Sequence, residues 1–419
     1  MIKIESRLLR IVFIAAGVFS IGAALLVAKW GFGHTAATGP DSIEVAVLAA
    51  DLGPDDPQTH YAAAVLYEKT FVPEDLQKAL TEFEAATALS PNNYLLWLSL
   101  GRARERNGDA VGAESALKKA LELAPNYSRV QWTLGNVLLR QGKTDEAFAE
   151  IRKAVAGDQD YTNAAAAMAW QVLDGNMTQV RNAIGDSARL NAALAILLAE
   201  QKRFDESLEI WNALPAGDRE TTLKDSGDTL FRKFVEAGSY RLASLFTAQI
   251  RGPTNTDELV GEISNGGFES PVKTQNAGIF EWRIAEGLTP RVGPTDGQKH
   301  LGNYSLLMSF GQDSKDFRQV SHIVAVEPGK NYELEVFYRS DLKTTAAIKW
   351  EVADAANGKS IAATNTIATT TDWIPIRTNF LVPENIDGIV IRLVRENCIA
   401  SNWTISGNLW FDDFSLKIR

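Results

Sequence analysis

Two adjacent acids, Asp412 and Asp413, interrupt the last apolar stretch of the chain, GNLWFDDFSLKIR. On a period of two, Trp410, Phe414, Leu416 and Ile418 share one face, and Asp412 falls on it. A carboxylate among apolar side chains is costly unless it is paired or bound to a cation. A second set of residues has the materials of a ligand site, flat aromatic faces beside polar groups. Strand parity sorts them. Trp373 shares a face with Arg377 and Asn379, opposite Ile374, Ile376 and Phe380. Phe337 lies with Glu333, Glu335 and Arg339, opposite Tyr332, Leu334, Val336 and Tyr338. Asn402 and Trp403 read as a loop. The ligand candidates are therefore Trp373, Arg377, Phe337, Arg339, Asn402 and Trp403. For any single one of them the plainer reading is an aromatic or polar group shielding a sheet edge. Trp350 and Trp410 read as core, and Trp282 as packed.

Catalytic constellations are missing. The chain has no nucleophile-elbow G-x-S-x-G and no phosphate-cradling glycine loop. Its 4 histidines include no pair at helical ligand spacing, so a zinc site is not expected. The single cysteine, Cys398, excludes an internal disulfide framework. A net charge of −10 argues against a nucleic-acid binder. A chain of 419 residues predicts more than one domain.

The N-terminus carries Ile11 to Ala28, IVFIAAGVFSIGAALLVA, without a charge, between Lys3, Arg7 and Arg10 on one side and Lys29 on the other. This predicts a membrane-spanning signal anchor over residues 1–30 with a cytoplasmic N-terminus, the bulk of the chain lying on the outer side. A cleaved signal peptide, with Thr35 and Ala37 near the cleavage site, is the rival reading. Residues 31–41 read as a polar linker.

From residue 42 to 250 the chain is helical, Ala-rich and repetitive. Pro57, Pro91 and Pro125 are spaced by 34 residues, and the same step relates Ala79, Ala113 and Ala147, Ala86, Ala120 and Ala154, Leu66, Leu100 and Leu134, Gly101 and Gly135, and Gly108 and Gly142. Each such helix pair has an apolar face it cannot bury alone, so neighbours must stack into a solenoid. The pattern resembles the tetratricopeptide repeat, whose W-x-x-L-G opening is matched by Trp97, Leu100 and Gly101. Trp132 is displaced by one position in the next repeat. The resemblance implies a protein partner, or else a spacer role.

RGPTNTDELVG, residues 251–261, reads as a linker. Beyond it, alternating segments such as YELEVFYRS, AAIKWEVAD and IVIRLVREN predict an all-β sandwich or jelly roll over 262–419. The order of ISNGGFES, GNYSLLMSF, VEPGKNYELEVFYRS and GNLWFDDFSL resembles the jelly-roll carbohydrate-binding modules of the family 4/9/22 type. That resemblance implies a glycan ligand and a structural calcium between the first and last strands. It assigns Glu269 to the opening acid and Asp412 and Asp413 to the closing ones, and calcium favours such oxygen ligands. The alternative is that Asp412 accepts backbone N–H bonds or meets an arginine. The closely spaced acid motif of jelly-roll glycosidases is absent, so no enzyme is expected. The expected protein is thus an inner-membrane-anchored scaffold in a bacterial envelope, mostly periplasmic or extracellular, serving polysaccharide assembly, export or adhesion. The alternative is a non-catalytic structural or assembly subunit of an envelope complex or filament, whose jelly roll binds protein.

Overall fold

The computed structural model describes residues 7–251, 260–273, 275–396 and 404–419. Helix α1 is Arg7–Ala37, followed by α2 Ile43–Leu52, α3 Pro57–Glu68, α4 Pro73–Leu89, α5 Tyr94–Arg106, α6 Ala110–Leu123, α7 Ser128–Arg140 and α8 Thr144–Gly157. Then come α9 Thr162–Val172, α10 Met177–Ile184, α11 Ala188–Glu200, α12 Phe204–Asn212, α13 Ala216–Glu220, α14 Lys224–Glu236 and α15 Tyr240–Arg251. Two compact units divide the chain, Met1–Leu194 and Ala195–Arg419.

In the first unit the 34-residue step is a packing rule. Leu100 and Leu134 are buried, as are all six repeated alanines from Ala79 to Ala154. Gly101 lets α5 close on α6: a Cβ there would sit 2.6 Å from Leu117 Cγ. Gly135 repeats this one step later, 2.7 Å from Ile151 Cγ1. Gly108 and Gly142 take positive φ (+82° and +75°) just beyond α5 and α7, as helix-ending glycines do. Hydrogen bonds recur with the same period. Trp97 Nε1 donates to Pro91 O at 2.7 Å, and Gln131 Nε2 donates to Pro125 O at 2.8 Å. Gln131 therefore does what the indole does one repeat earlier, and the displaced Trp132 stacks on Tyr161 instead, at 4.7 Å. Beyond Asp158 the pair α9–α10 is shorter than the pairs before it.

The start of the array differs from expectation. Residues 31–37, read as linker, continue α1, and their inner side packs on α2 and α3. Gly33 is the reason: a Cβ there would lie 2.9 Å from Ala49 O. Ala37 is buried, and His34 Nδ1 lies 2.6 Å from Oδ2 of Asp56, the N-cap of α3. Of the glycines that suggest a flexible spacer, Gly33 is there for close helix contact, whereas Gly31 has nothing within 4 Å.

In the second unit, α12, α14 and α15 pack around Trp211, Phe234 and Phe246, with ring centroids 5.5–5.6 Å apart. The texture change in the sequence falls at 251–261, yet packing joins these helices to the strands. Asp387 caps α15 by accepting from Tyr240 N at 3.0 Å and Arg241 N at 3.4 Å. Burial pushes its carboxyl up, against the pull of those two N–H groups. The Tyr240 hydroxyl donates to Ala355 O at 3.0 Å, and its ring fills the space a Gly388 side chain would need.

The strands are β1 Arg283–Ile284, β2 Arg291–Thr295, β3 Ser305–Ser314, β4 Val320–Ala325, β5 Asn331–Ser340, β6 Lys343–Thr344, β7 Ala347–Asp354, β8 Ser360–Ala363, β9 Thr370–Leu381, β10 Gly388–Glu396 and β11 Ile405–Ile418. One antiparallel sheet runs β1-β4-β10-β7-β8 and the other β2-β3-β11-β5-β9, with β6 pairing on β11. Between them lies an aromatic core of Phe268, Trp282, Trp350, Phe411 and Phe414.

The glycine contact is testable. Gly101→Val forces a branched side chain against Leu117 and Ala113, so it should lower the unfolding free energy of the array by about 1–3 kcal/mol in urea. The same change at Gly311, where nothing lies within 4 Å, should cost little.

Candidate functional site

Strand β11 lies between β3 and β5 and changes its parity midway. Leu409 and Phe411 point into the core, and so does Phe414, three residues after Phe411. Asp412 pairs with Phe337, and the next pair is Ser415 with Glu335, so β11 holds one residue more than β5 there. This is a β-bulge, with Asp413 in the left-handed region at φ +46°. The expected placement of Trp410 in the core beside Phe414 and Leu416 is therefore corrected. Trp410 pairs across the sheet with Leu307 and Arg339 and lies on the outer face, half-buried. A period of two cannot register an inserted residue. The visible signal is the odd spacing between two apolar runs, LWF and FSL, around a pair of aspartates.

The segment from Asn265 to Glu269 lies against the bulge. Phe414 N donates to Gly266 O at 3.1 Å, and a Cβ on Gly266 would meet Phe414 O at 2.5 Å. Asp412 is fully buried. Its Oδ2 accepts from His300 N at 2.8 Å and Leu301 N at 3.3 Å, and its Oδ1 accepts from Asp413 N at 2.8 Å. Asp413 Oδ2 lies 2.6 Å from His300 Nδ1. Glu269 Oε1 accepts from Asn303 N at 2.7 Å and Tyr304 N at 3.0 Å, while Oε2 accepts from Asn303 Nδ2 at 3.2 Å. Three acids thus fasten the segment from His300 to Tyr304 that leads into β3.

The same contacts set the charges. Hydrogen bonds from the Tyr304 and Asn303 backbone hold Glu269 below the usual carboxylate range. Burial pushes Asp412 up to about 6; the His300 N–H opposes this and the charge of Asp413 adds to it. These three acids are the ones offered to calcium. They converge on Gly267, where a Cβ would lie 3.5 Å from Asp413 Oδ1, 3.8 Å from Asp412 Oδ1 and 4.0 Å from Glu269 Cγ. Most of their oxygens, however, face N–H donors. Among the described residues no three Asp, Glu, His or Cys side chains form a group that could hold a metal ion. The arrangement is a hydrogen-bonded clamp, and as it stands the donor set does not make a cation cage.

The outer face of this sheet brings together four of the expected ligand residues. Phe337, Arg339, Trp373 and Arg377 all lie on it. Phe337 is covered by the His300 ring, stacked at 3.9 Å and 13°. Trp373 stands 5.9 Å from the same imidazole, tilted. Arg377 is ion-paired with Glu335. Arg339 sits between Trp410 and the Trp373 end of β9. Asn402 and Trp403 lie outside the described residues. Trp410 and His300 join the face although parity and motif did not point to them; His300 arrives from a loop, placed by Asp413.

Asp412 gives the face a pH signature. Its folded-state value lies above the unfolded one, so between about 4 and 6 the folded protein binds this proton more tightly. Its contribution is fully present below that window and is lost as pH rises through about 6. Urea midpoints of Asp412→Asn should therefore improve relative to wild type between pH 4 and pH 7. A pH-independent difference would show that burial does not govern this carboxylate.

The carbohydrate binding domain family matches residues 261–397. The tetratricopeptide repeat family matches residues 74–128 and 105–170. Among curated proteins the chain is similar to DnaJ homolog subfamily C member 3 of Homo sapiens, 27% identical over 154 residues, 35% of this chain and 29% of that protein. It is also similar to the peroxisomal targeting signal receptor of Saccharomyces cerevisiae, 25% identical over 133 residues, 32% of this chain and 21% of that one. The chain thus spans less than a third of the length of these two relatives. A solved structure described as "CBM4 structure and function" shares 17% identity at a TM-score of 0.30, covering 38% of this chain and 100% of that one. "Crystal structure of MamA protein" shares 15% identity at a TM-score of 0.30, covering 51% and 94%. The chain carries tetratricopeptide repeats in its N-terminal half and a carbohydrate binding domain, folded as an antiparallel sandwich, at its C-terminus.

Proposed function

We propose that this is a membrane-anchored scaffold whose repeats bind a protein partner and whose sandwich binds a glycan on the outer face of the β2-β3-β11-β5-β9 sheet. The observation that carries the glycan reading is the row formed by Trp410, Arg339 and Trp373 on a sandwich whose residues 261–397 match the carbohydrate binding domain family. Aromatic faces there can stack on the C–H surface of a sugar ring, and the guanidinium can fix its oxygens. The role is binding rather than catalysis.

Helix α1 supports the anchor. Its segment Leu9–Ala37 is long and apolar enough to cross a membrane. Cleavage near Thr35 and Ala37 would strip Gly33 and Ala37 from the buried alanines of α2, Ala46 and Ala49, which favours a retained helix. The basic residues Lys3, Arg7 and Arg10 favour a cytoplasmic N-terminus, with repeats and sandwich in the periplasm or outside a bacterial cell. A role in envelope polysaccharide assembly, export or adhesion suits such a placement.

A glycan array followed by calorimetric titration tests the site. Trp410→Ala and Arg339→Ala should each weaken binding of the selected glycan by about tenfold, roughly 1.4 kcal/mol. Absence of binding to acidic, neutral and cell-wall polysaccharides alike would sink the glycan reading and favour a sandwich that binds protein. Repeating the titration in EDTA tests calcium at Glu269, Asp412 and Asp413. The N–H complement of these acids predicts unchanged affinity and melting, and a lowered midpoint would place the ion beside Gly267.

A further inference from the structure

Helix α1 is longer than the membrane it is read as crossing. From Leu9, about 20 residues at about 1.5 Å each span a hydrocarbon core of roughly 30 Å. That count ends next to Lys29. The headgroup zone of one leaflet adds roughly 6 Å, about four more residues, which reaches Gly33. Gly33 is where the repeat array begins to pack. A Cβ there would lie 2.9 Å from Ala49 O, 3.0 Å from Gly53 N and 3.2 Å from Leu52 Cβ. The C-terminal end of α2 is therefore level with Gly33. One residue on, His34 Nδ1 meets Asp56 Oδ2 at 2.6 Å in the turn before α3, and Trp30 stacks on the His34 ring at 5.2 Å and 14°. With one helix serving as both span and first repeat helix, the level of α2 above the membrane is fixed.

Four of the side chains exposed around this level are large and apolar. Trp30 and Phe32 of α1 and Val45 and Leu48 of α2 are all exposed, Phe32 at 76% and Leu48 at 55%. Tryptophan and other large apolar groups at the end of a span are the residues that settle among lipid headgroups. Water would leave these four uncovered, whereas the interface of a bilayer covers them without any further protein.

We propose that the first helical hairpin is seated in the lipid interface, with Trp30, Phe32 and Leu48 among the headgroups, so that the repeat array meets the bilayer at one fixed attitude. This rests on the reading of α1 as a membrane span. The partner is the lipid surface, and the contact is continuous with the apolar surface of the span. Asp51 and Asp55, exposed at the same end of α2 and in the turn that follows, favour zwitterionic over anionic headgroups.

Single nitroxide labels on the full chain, in a Cys398→Ser background and in vesicles of phosphatidylethanolamine with a little phosphatidylglycerol, test this. Labels go at Leu25 in the span, at Leu48, and at Val111, which is 75% exposed on α6. The readout is collision with oxygen, which partitions into lipid, against collision with a water-soluble nickel chelate. Leu25 should be oxygen-dominated and Val111 nickel-dominated. The Leu48 oxygen-to-nickel ratio should be severalfold above that of Val111. Gly33→Leu, which forces α2 away, should bring Leu48 to the Val111 level while leaving Leu25 unchanged. Leu48 matching Val111 in the unaltered chain overturns the seat and spares the span. Leu48 shielded from both reagents overturns it in favour of a second protein surface. A nickel-dominated Leu25 overturns the span, and the seat with it.

Discussion

The buried carboxylate of Asp412 is the constraint on which the sandwich site depends. An ionised oxygen withdrawn from water must find donors or take up a proton. Here the donors are the backbone N–H groups of His300, Leu301 and Asp413. To present the carboxylate to them, β11 takes an extra residue, and that bulge turns the preceding half of the strand over. The polar requirement of one side chain thereby decides which face Trp410 occupies. It also draws His300 across the sheet, where the imidazole covers Phe337.

The helical half follows a different rule, close approach. Gly101 and Gly135 remove the side chain where one helix of a pair meets the next, and the buried alanines keep the crossings tight. Gly33 extends the same rule into the apolar N-terminal helix, so that helix also serves as the first helix of the repeat array. Asp387 and Tyr240 do comparable work in the second unit, where a sandwich residue caps the last helix and a ring fills the place of an absent side chain at Gly388. In each case a glycine marks a contact with another element rather than freedom of the chain.

The sequence made the architecture legible where the signal is periodic. Pro57, Pro91 and Pro125 announce the repeat, and the alternation in YELEVFYRS survives intact in β5, where every second residue is buried. The face carrying Phe337, Arg339, Trp373 and Arg377 was legible for the same reason. What periodicity missed depends on contacts distant in sequence. Trp410 required knowledge of a bulge that exists to satisfy Asp412 from a loop more than a hundred residues earlier. Residues 31–37 resemble a spacer by composition, because Gly31 and Gly33 weaken a helix seen in isolation; packing against Ala49 makes that segment helical. His300 belongs to no motif and is placed only by Asp413.

The central claim, that the bulge at Asp412 and Asp413 reverses the parity of β11, is tested most directly by cysteine labelling of the folded protein. In a Cys398→Ser background, Trp410→Cys should react readily with a polar maleimide, while Leu409→Cys and Phe411→Cys should react only after denaturation. Rapid labelling at positions 409 and 411 with protection at 410 would mean an uninterrupted strand, and would remove Trp410 from the outer face of the sheet.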